Sequence, residues 1–133
     1  MSLELRRREM MQASEDYLKG WTKGYRIDNK GTLIPYATFI ASPHIPIPAK
    51  TARIEVYQPT EYNEPRNVLC LFYADGTFQD YYFNYGPNWR VRQVTLPSGV
   101  TEINVSFLIA DVDNCYIKNV YTGKYIWKGK NVE

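Results

Sequence analysis

Histidine is nearly missing from this chain of 133 residues, with His44 alone, and cysteine occurs only at Cys70 and Cys115. One histidine and two distant cysteines cannot complete an ordinary zinc donor set. His44 sits among Pro43, Pro46 and Pro48, a setting that suits surface or packing duty. Cys70 lies inside the apolar run Val68-Leu69-Cys70-Leu71-Phe72, so both thiols are expected to be free and to pack as small hydrophobes. No glycine-rich phosphate loop and no nucleophile-elbow sequence occurs. Two acids in a cleft are all a glycosidase needs, but the acids here are spread mostly through turns. No catalytic residue, no cofactor and no resident metal is expected, and the protein is not expected to be an enzyme.

Charge of either sign is also scarce as a field. The formal net charge is +2, and from Gly20 onward twelve basic residues face ten acidic ones. That balance argues against nucleic acid or an anionic membrane surface as partner. No apolar run has the length of a membrane-spanning helix, and the first residues lack a signal-peptide core. A soluble product made in the cytoplasm, without membrane insertion, is the expectation.

What the chain has in quantity is tyrosine, twelve against five phenylalanines. Tyrosine joins apolar area to a polar tip, which suits half-buried strands and contact surfaces. Residues 1–19 read differently from the remainder. They contain no glycine or proline and almost no β-branching, and Ser2 can cap them, so one amphipathic helix is expected. Leu3, Met10, Met11, Tyr17 and Leu18 share its apolar stripe, and Leu3, Met10 and Tyr17 recur every seven residues. So short a helix is marginal alone in water and must dock on something. Gly20 and Gly24 bracket Trp21, and residues 20–24 are read as a hinge.

From Tyr25 the grammar is strand, turn, strand. Alternation marks 25–29, 32–41, 51–57, 67–73, 77–83, 89–96, 101–109, 116–120 and 124–127. Asn29-Lys30-Gly31, Ala74-Asp75-Gly76, Pro97-Ser98-Gly99 and Thr122-Gly123 supply turns. Pro35 marks an edge or bulged strand, and the prolines of 42–49 exclude a central one. Residues 25–133 are therefore expected to form an antiparallel β-sandwich of about eight strands, jelly-roll-like, used for display.

Two local features bear on binding. Tyr81, Tyr82, Phe83, Tyr85 and Trp89 crowd together beside Asn88 and Arg90. In alternating strands about half of such a cluster points away from the core. Tyr82, Tyr85, Trp89 and Arg90 are thus candidates for contact with a glycan or a protein partner. Asp111-Val112-Asp113-Asn114 offers close oxygen ligands, but the run is too short to be specific, and an acidic turn that needs no ion is the favoured reading.

The turn Gly24-Tyr25-Arg26-Ile27-Asp28-Asn29-Lys30-Gly31-Thr32, the step Ile45-Pro46-Ile47-Pro48 and the hairpin Phe72-Tyr73-Ala74-Asp75-Gly76-Thr77-Phe78 together resemble small β-sandwich modules of bacteriophage fibre and decoration proteins. The opening Leu3-Glu4-Leu5-Arg6-Arg7-Arg8-Glu9-Met10-Met11 is similar to the N-terminal helix of virion proteins from phages of gut Bacteroidales. These resemblances imply a head fibre or capsid decoration protein located in the virion. Its helix would anchor it as a homotrimer to other virion proteins, the capsid before the tail, and Arg6, Arg7 and Arg8 would pair with acids on the partner. They also imply an alternative, a carbohydrate-binding or receptor-recognition module of a tail fibre or baseplate that meets a host surface glycan.

Overall fold

Alternation is realised strand by strand in the computed structural model, which describes residues 16–60, 68–83 and 90–133. In β4 (Arg53–Tyr57) Ile54 and Val56 are buried while Arg53, Glu55 and Tyr57 face the other way. In β8 (Val100–Leu108) Ile103, Val105 and Phe107 turn to the core. Around these run β1 (Thr22–Ile27), β2 (Leu33–Ala41), β3 (Ile45–Pro46), β5 (Val68–Tyr73), β6 (Phe78–Phe83), β7 (Val91–Thr95), β9 (Tyr116–Asn119) and β10 (Tyr125–Lys128). The fold of the described residues is all-β, ten strands in two antiparallel sheets.

One sheet has the order β1-β2-β8-β5-β6 with β3 also paired to β8, and the other β10-β9-β4-β7. The pairings nest: β5 with β6, β4 with β7, β3 with β8. The middle of the chain is therefore one long antiparallel hairpin, folded so that its successive pairs alternate between the two sheets. Ile54, Val56, Val94 and Ile117 from one sheet meet Ile40, Leu69, Leu71, Ile103, Val105 and Phe107 from the other in a single apolar core.

Proline sits where the ladder can spare a donor. Pro35 pairs only with Tyr25 of β1, because β2 joins β8 solely through Phe39, Ile40 and Ala41. Pro46 lies in β3, a two-residue strand. The β1–β2 turn is set by Asp28, whose side-chain oxygen accepts the Lys30 and Thr32 N–H groups at 2.8 and 2.9 Å. That turn folds over the outer face of the larger sheet, where Ile27, Ala41, Cys70 and Phe72 form a second, smaller core.

Two expectations concern the chain ahead of β1. Of residues 20–24, read as a hinge, Thr22 and Lys23 pair with Ala41 and Ile40 at the start of β1, and Gly24, at φ +80°, sits where the register shifts. A bulge needing a left-handed residue explains this glycine better than a swivel does. Trp21, between the two glycines, stacks on Phe107 with centroids 6.1 Å apart and lies tilted against Trp127 at 4.6 Å. Of the helix expected over 1–19, residues 1–15 lie outside the described residues; Asp16 is helical, and 17–20 form a turn in which the Lys19 N–H bonds the Asp16 carbonyl.

Candidate binding face and attachment joint

The outer face of the smaller sheet is built by register. Val91, Tyr57, Tyr116 and Lys128 lie opposite one another across β7, β4, β9 and β10. The next row is Gln93, Glu55, Lys118 and Tyr125, and beyond it Thr95 lies opposite Arg53. Side chains two apart on a strand share a face, so these rows form one polar, tyrosine-rich grid.

Glu55 holds the grid together. It accepts the Tyr116 hydroxyl at 2.5 Å and the Gln93 amide at 2.9 Å, and Lys118 Nζ lies 3.4 Å away. Burial alone would raise this carboxyl's pKa. The Tyr116 and Gln93 hydrogen bonds and the Lys118 charge outweigh burial, so the pKa lies below its ordinary value. The Tyr116 hydroxyl is pushed upward, first by burial and then by the bond to Glu55. Its ring stacks on Tyr57 at 5.0 Å and meets Tyr125 edge-on at 5.5 Å. Lys118 and Lys128 lie over the Tyr116 and Tyr125 rings. Ring faces are thus covered by neighbours, and the grid offers ring edges, hydroxyls and cations.

The residues singled out from sequence are distributed otherwise. Tyr82 is half-buried against the main core and carries the Arg92 guanidinium 5.3 Å above its ring, because its β5 partner Leu69 points inward. It is placed at the edge of the core. Arg90 is exposed, and its carbonyl accepts the Gln58 N–H at 2.9 Å. Tyr85 and Trp89 lie outside the described residues, as do Leu3, Arg6, Arg7, Arg8, Met10 and Met11.

Tyr17 and Leu18, expected on an intermolecular seam, are packed into the chain's own fold. Leu18 rests on the main core. The Tyr17 ring stacks on Trp127, its carbonyl accepts the Trp127 indole N–H at 2.6 Å, and its hydroxyl bonds Asp113. Asp113 also pairs with Lys130 at 3.5 Å. A cavity of about 550 Å³ opens beside this joint, lined by Tyr17, Leu18, Lys23, Ile109, Val112, Asp113 and Lys130.

The acidic run after β8 forms a 3-10 turn, Val112–Asn114. Its oxygens are engaged internally: Asp111 accepts the Thr60 N–H at 3.2 Å and Asn114 the Asn131 amide at 3.2 Å. Among the described residues no three histidine, cysteine or acidic side chains gather as a metal site, and no helix is long and apolar enough to cross a membrane. His44 stacks on Phe72 at 4.2 Å beside Glu102. Comparison with protein-family models, with curated proteins and with solved structures returned no match.

The tyrosine grid escaped sequence reasoning because Tyr57, Tyr116 and Tyr125 are scattered along the chain. The available signal was the shared alternation of Glu55 and Tyr57 with Tyr116 and Lys118, which only the β4–β9 register turns into contact.

Proposed function

We propose that this chain is a non-catalytic structural protein of a bacteriophage particle, a head fibre or capsid decoration protein. Its N-terminal helix attaches it to other virion proteins, the capsid first, as a homotrimer, and a jelly-roll-like sandwich faces outward. The nested pairing of β3 to β8 supports the jelly-roll reading, since winding one long hairpin between two sheets produces that architecture.

The observation that carries the proposal is the joint. The residues that follow the attachment helix do not trail from the sandwich; Tyr17, Leu18 and Trp21 are packed and hydrogen-bonded into it. A helix gripped elsewhere would then hold the sandwich at a fixed angle, as a decoration protein requires.

The experiment is the solution mass of the whole chain beside that of a chain lacking residues 1–15, which keeps the joint. A trimer that becomes a folded monomer is expected, as is the protein's presence among the components of purified particles. A full-length monomer, or a trimer that survives the deletion, overturns the attachment role.

The tyrosine grid favours a second reading, recognition of a host surface glycan, with tyrosine edges and lysines as the contacts. Glycan-array binding that is lost in Tyr125→Ala tests it. A sandwich that joins particles but binds no glycan leaves decoration alone.

A further inference from the structure

The cations of the grid are not scattered. Arg53 on β4, Lys118 on β9 and Lys128 on β10 step one strand across and one row along at each move, so they form a diagonal over three neighbouring strands. Diagonal neighbours on a sheet face lie roughly 7–8 Å apart. Among the described residues of these rows the one carboxylate, Glu55, is already engaged by Tyr116, Gln93 and Lys118. Three cations against one internally compensated anion leave the face positive, on a chain whose total charge is only +2.

The occupant follows from that pattern. A second copy of the same face would bring its own cations against these, which like-charge repulsion disfavours. Proteins that bind single-stranded nucleic acid combine a basic groove with open aromatic faces on which bases stack. Here Tyr57 and Tyr116 cover each other, and Lys118 and Lys128 lie over the rings. What remains are tyrosine edges and a diagonal of cations, with Arg53 held by bonds to Thr95 and Gln93. Such a face matches a linear polymer that repeats a carboxylate along a hydroxyl-rich backbone.

We infer that the Arg53–Lys118–Lys128 diagonal binds an acidic, carboxylate-bearing polysaccharide, which lies across β4, β9 and β10. Glu55 acts as a positioning residue, holding Tyr116 upright and Lys118 in line. The inference deepens the glycan-recognition reading and is independent of how the N-terminal segment attaches.

The test uses the full chain in affinity electrophoresis through gels containing polygalacturonate, dextran or oligo-thymidylate. Retardation by polygalacturonate alone is expected, relieved by salt. The doubly substituted chain Lys118→Gln, Lys128→Gln should bind about tenfold more weakly, as the loss of two exposed ion pairs implies. Lys128 is exposed, so Lys128→Glu serves as a second variant that leaves the fold intact, and it should abolish retardation at the same salt. Equal retardation by oligo-thymidylate overturns the inference in favour of a nucleic-acid face. Retardation by dextran that both variants retain overturns it in favour of a neutral glycan. Absence of all retardation overturns the acidic-glycan inference, while the trimer-to-monomer measurement still decides the attachment role.

Discussion

Trp127, from the last strand, donates its indole N–H to the backbone carbonyl of Tyr17 at 2.6 Å. The bond ties the two ends of the described chain to each other, with Trp21 and Phe107 stacked alongside. Trp127→Phe keeps an aromatic ring in the stack but removes the donor and leaves the Tyr17 carbonyl without this partner. Equilibrium unfolding in urea should show a loss of about 1–3 kcal/mol with an unchanged slope. An unshifted midpoint would mean that the joint contributes nothing to the fold.

Glu55 and Tyr116 set opposite limits of pH stability. The folded-state pKa of Glu55 lies below its ordinary value of 4.5, so its contribution is present above that value. It is lost as pH falls below 4.5 and through the depressed folded value. The Tyr116 pKa lies above its ordinary 10.0, so its contribution is complete below pH 10.0 and fades as pH rises through the folded value. The contribution of this pair should be flat between these limits and decline at both ends, with the buried thiols Cys70 and Cys115 adding to the alkaline loss from about pH 9. In Glu55→Gln the acid decline should flatten and the neutral-pH stability should fall by about 1 kcal/mol. Thermal melts across the pH range check both, and an acid limb identical to the parent's would remove Glu55 from the account.

Strand positions were readable because alternation and turn chemistry are local. The 101–109 run and the Asp28 and Asp75 turns needed no long-range information, and Asp75 accepts the Thr77 N–H at 2.8 Å as such a turn requires. Strand order was not readable, since nested pairing joins residues as distant as Ile45 and Ile103. Alternation also fixes which residues share a face without fixing which face is inward. That is why Tyr82 was expected outside, while Leu69 on the facing strand holds it inside. Gly24 poses a related ambiguity: a bulge glycine and a hinge glycine look alike until the pairing of Lys23 with Ile40 is known.

Gly31 and Gly76 separate strain from collision. Both have left-handed backbones, at φ +83° and +84°. A Cβ on Gly31 would meet Phe72 Cζ at 2.6 Å and the Asn104 amide at 3.3 Å, whereas one on Gly76 would meet nothing within 4 Å. Gly76→Ala should therefore cost only the backbone penalty, about 1–2 kcal/mol. Gly31→Ala adds overpacking of the smaller core, for a total of about 2–5 kcal/mol. Paired unfolding curves read the difference. Equal losses would show that the turn over Phe72 moves aside at no cost.

Cys70 and Cys115 are both free and fully buried. Burial, reinforced by the Asp28 charge, pushes the Cys70 thiol up to about 12, and burial beside Asp111 and Asp113 raises Cys115 as well. Each sulfur donates to a carbonyl, Cys70 to Asp28 at 3.5 Å and Cys115 to Asp111 at 3.2 Å. The thiolate is the reactive form, and here it is scarce as well as shielded. An aromatic disulfide reagent at mildly alkaline pH should leave both thiols untouched in the folded chain and titrate both in denaturant. Where slow labelling does occur, its rate should follow global opening and so accelerate in Gly31→Ala. A thiol that reacts at once in the folded protein would contradict the packing beneath the Asp28 turn or the 3-10 turn, according to which cysteine is labelled. A single thiol or none in denaturant would instead require a disulfide.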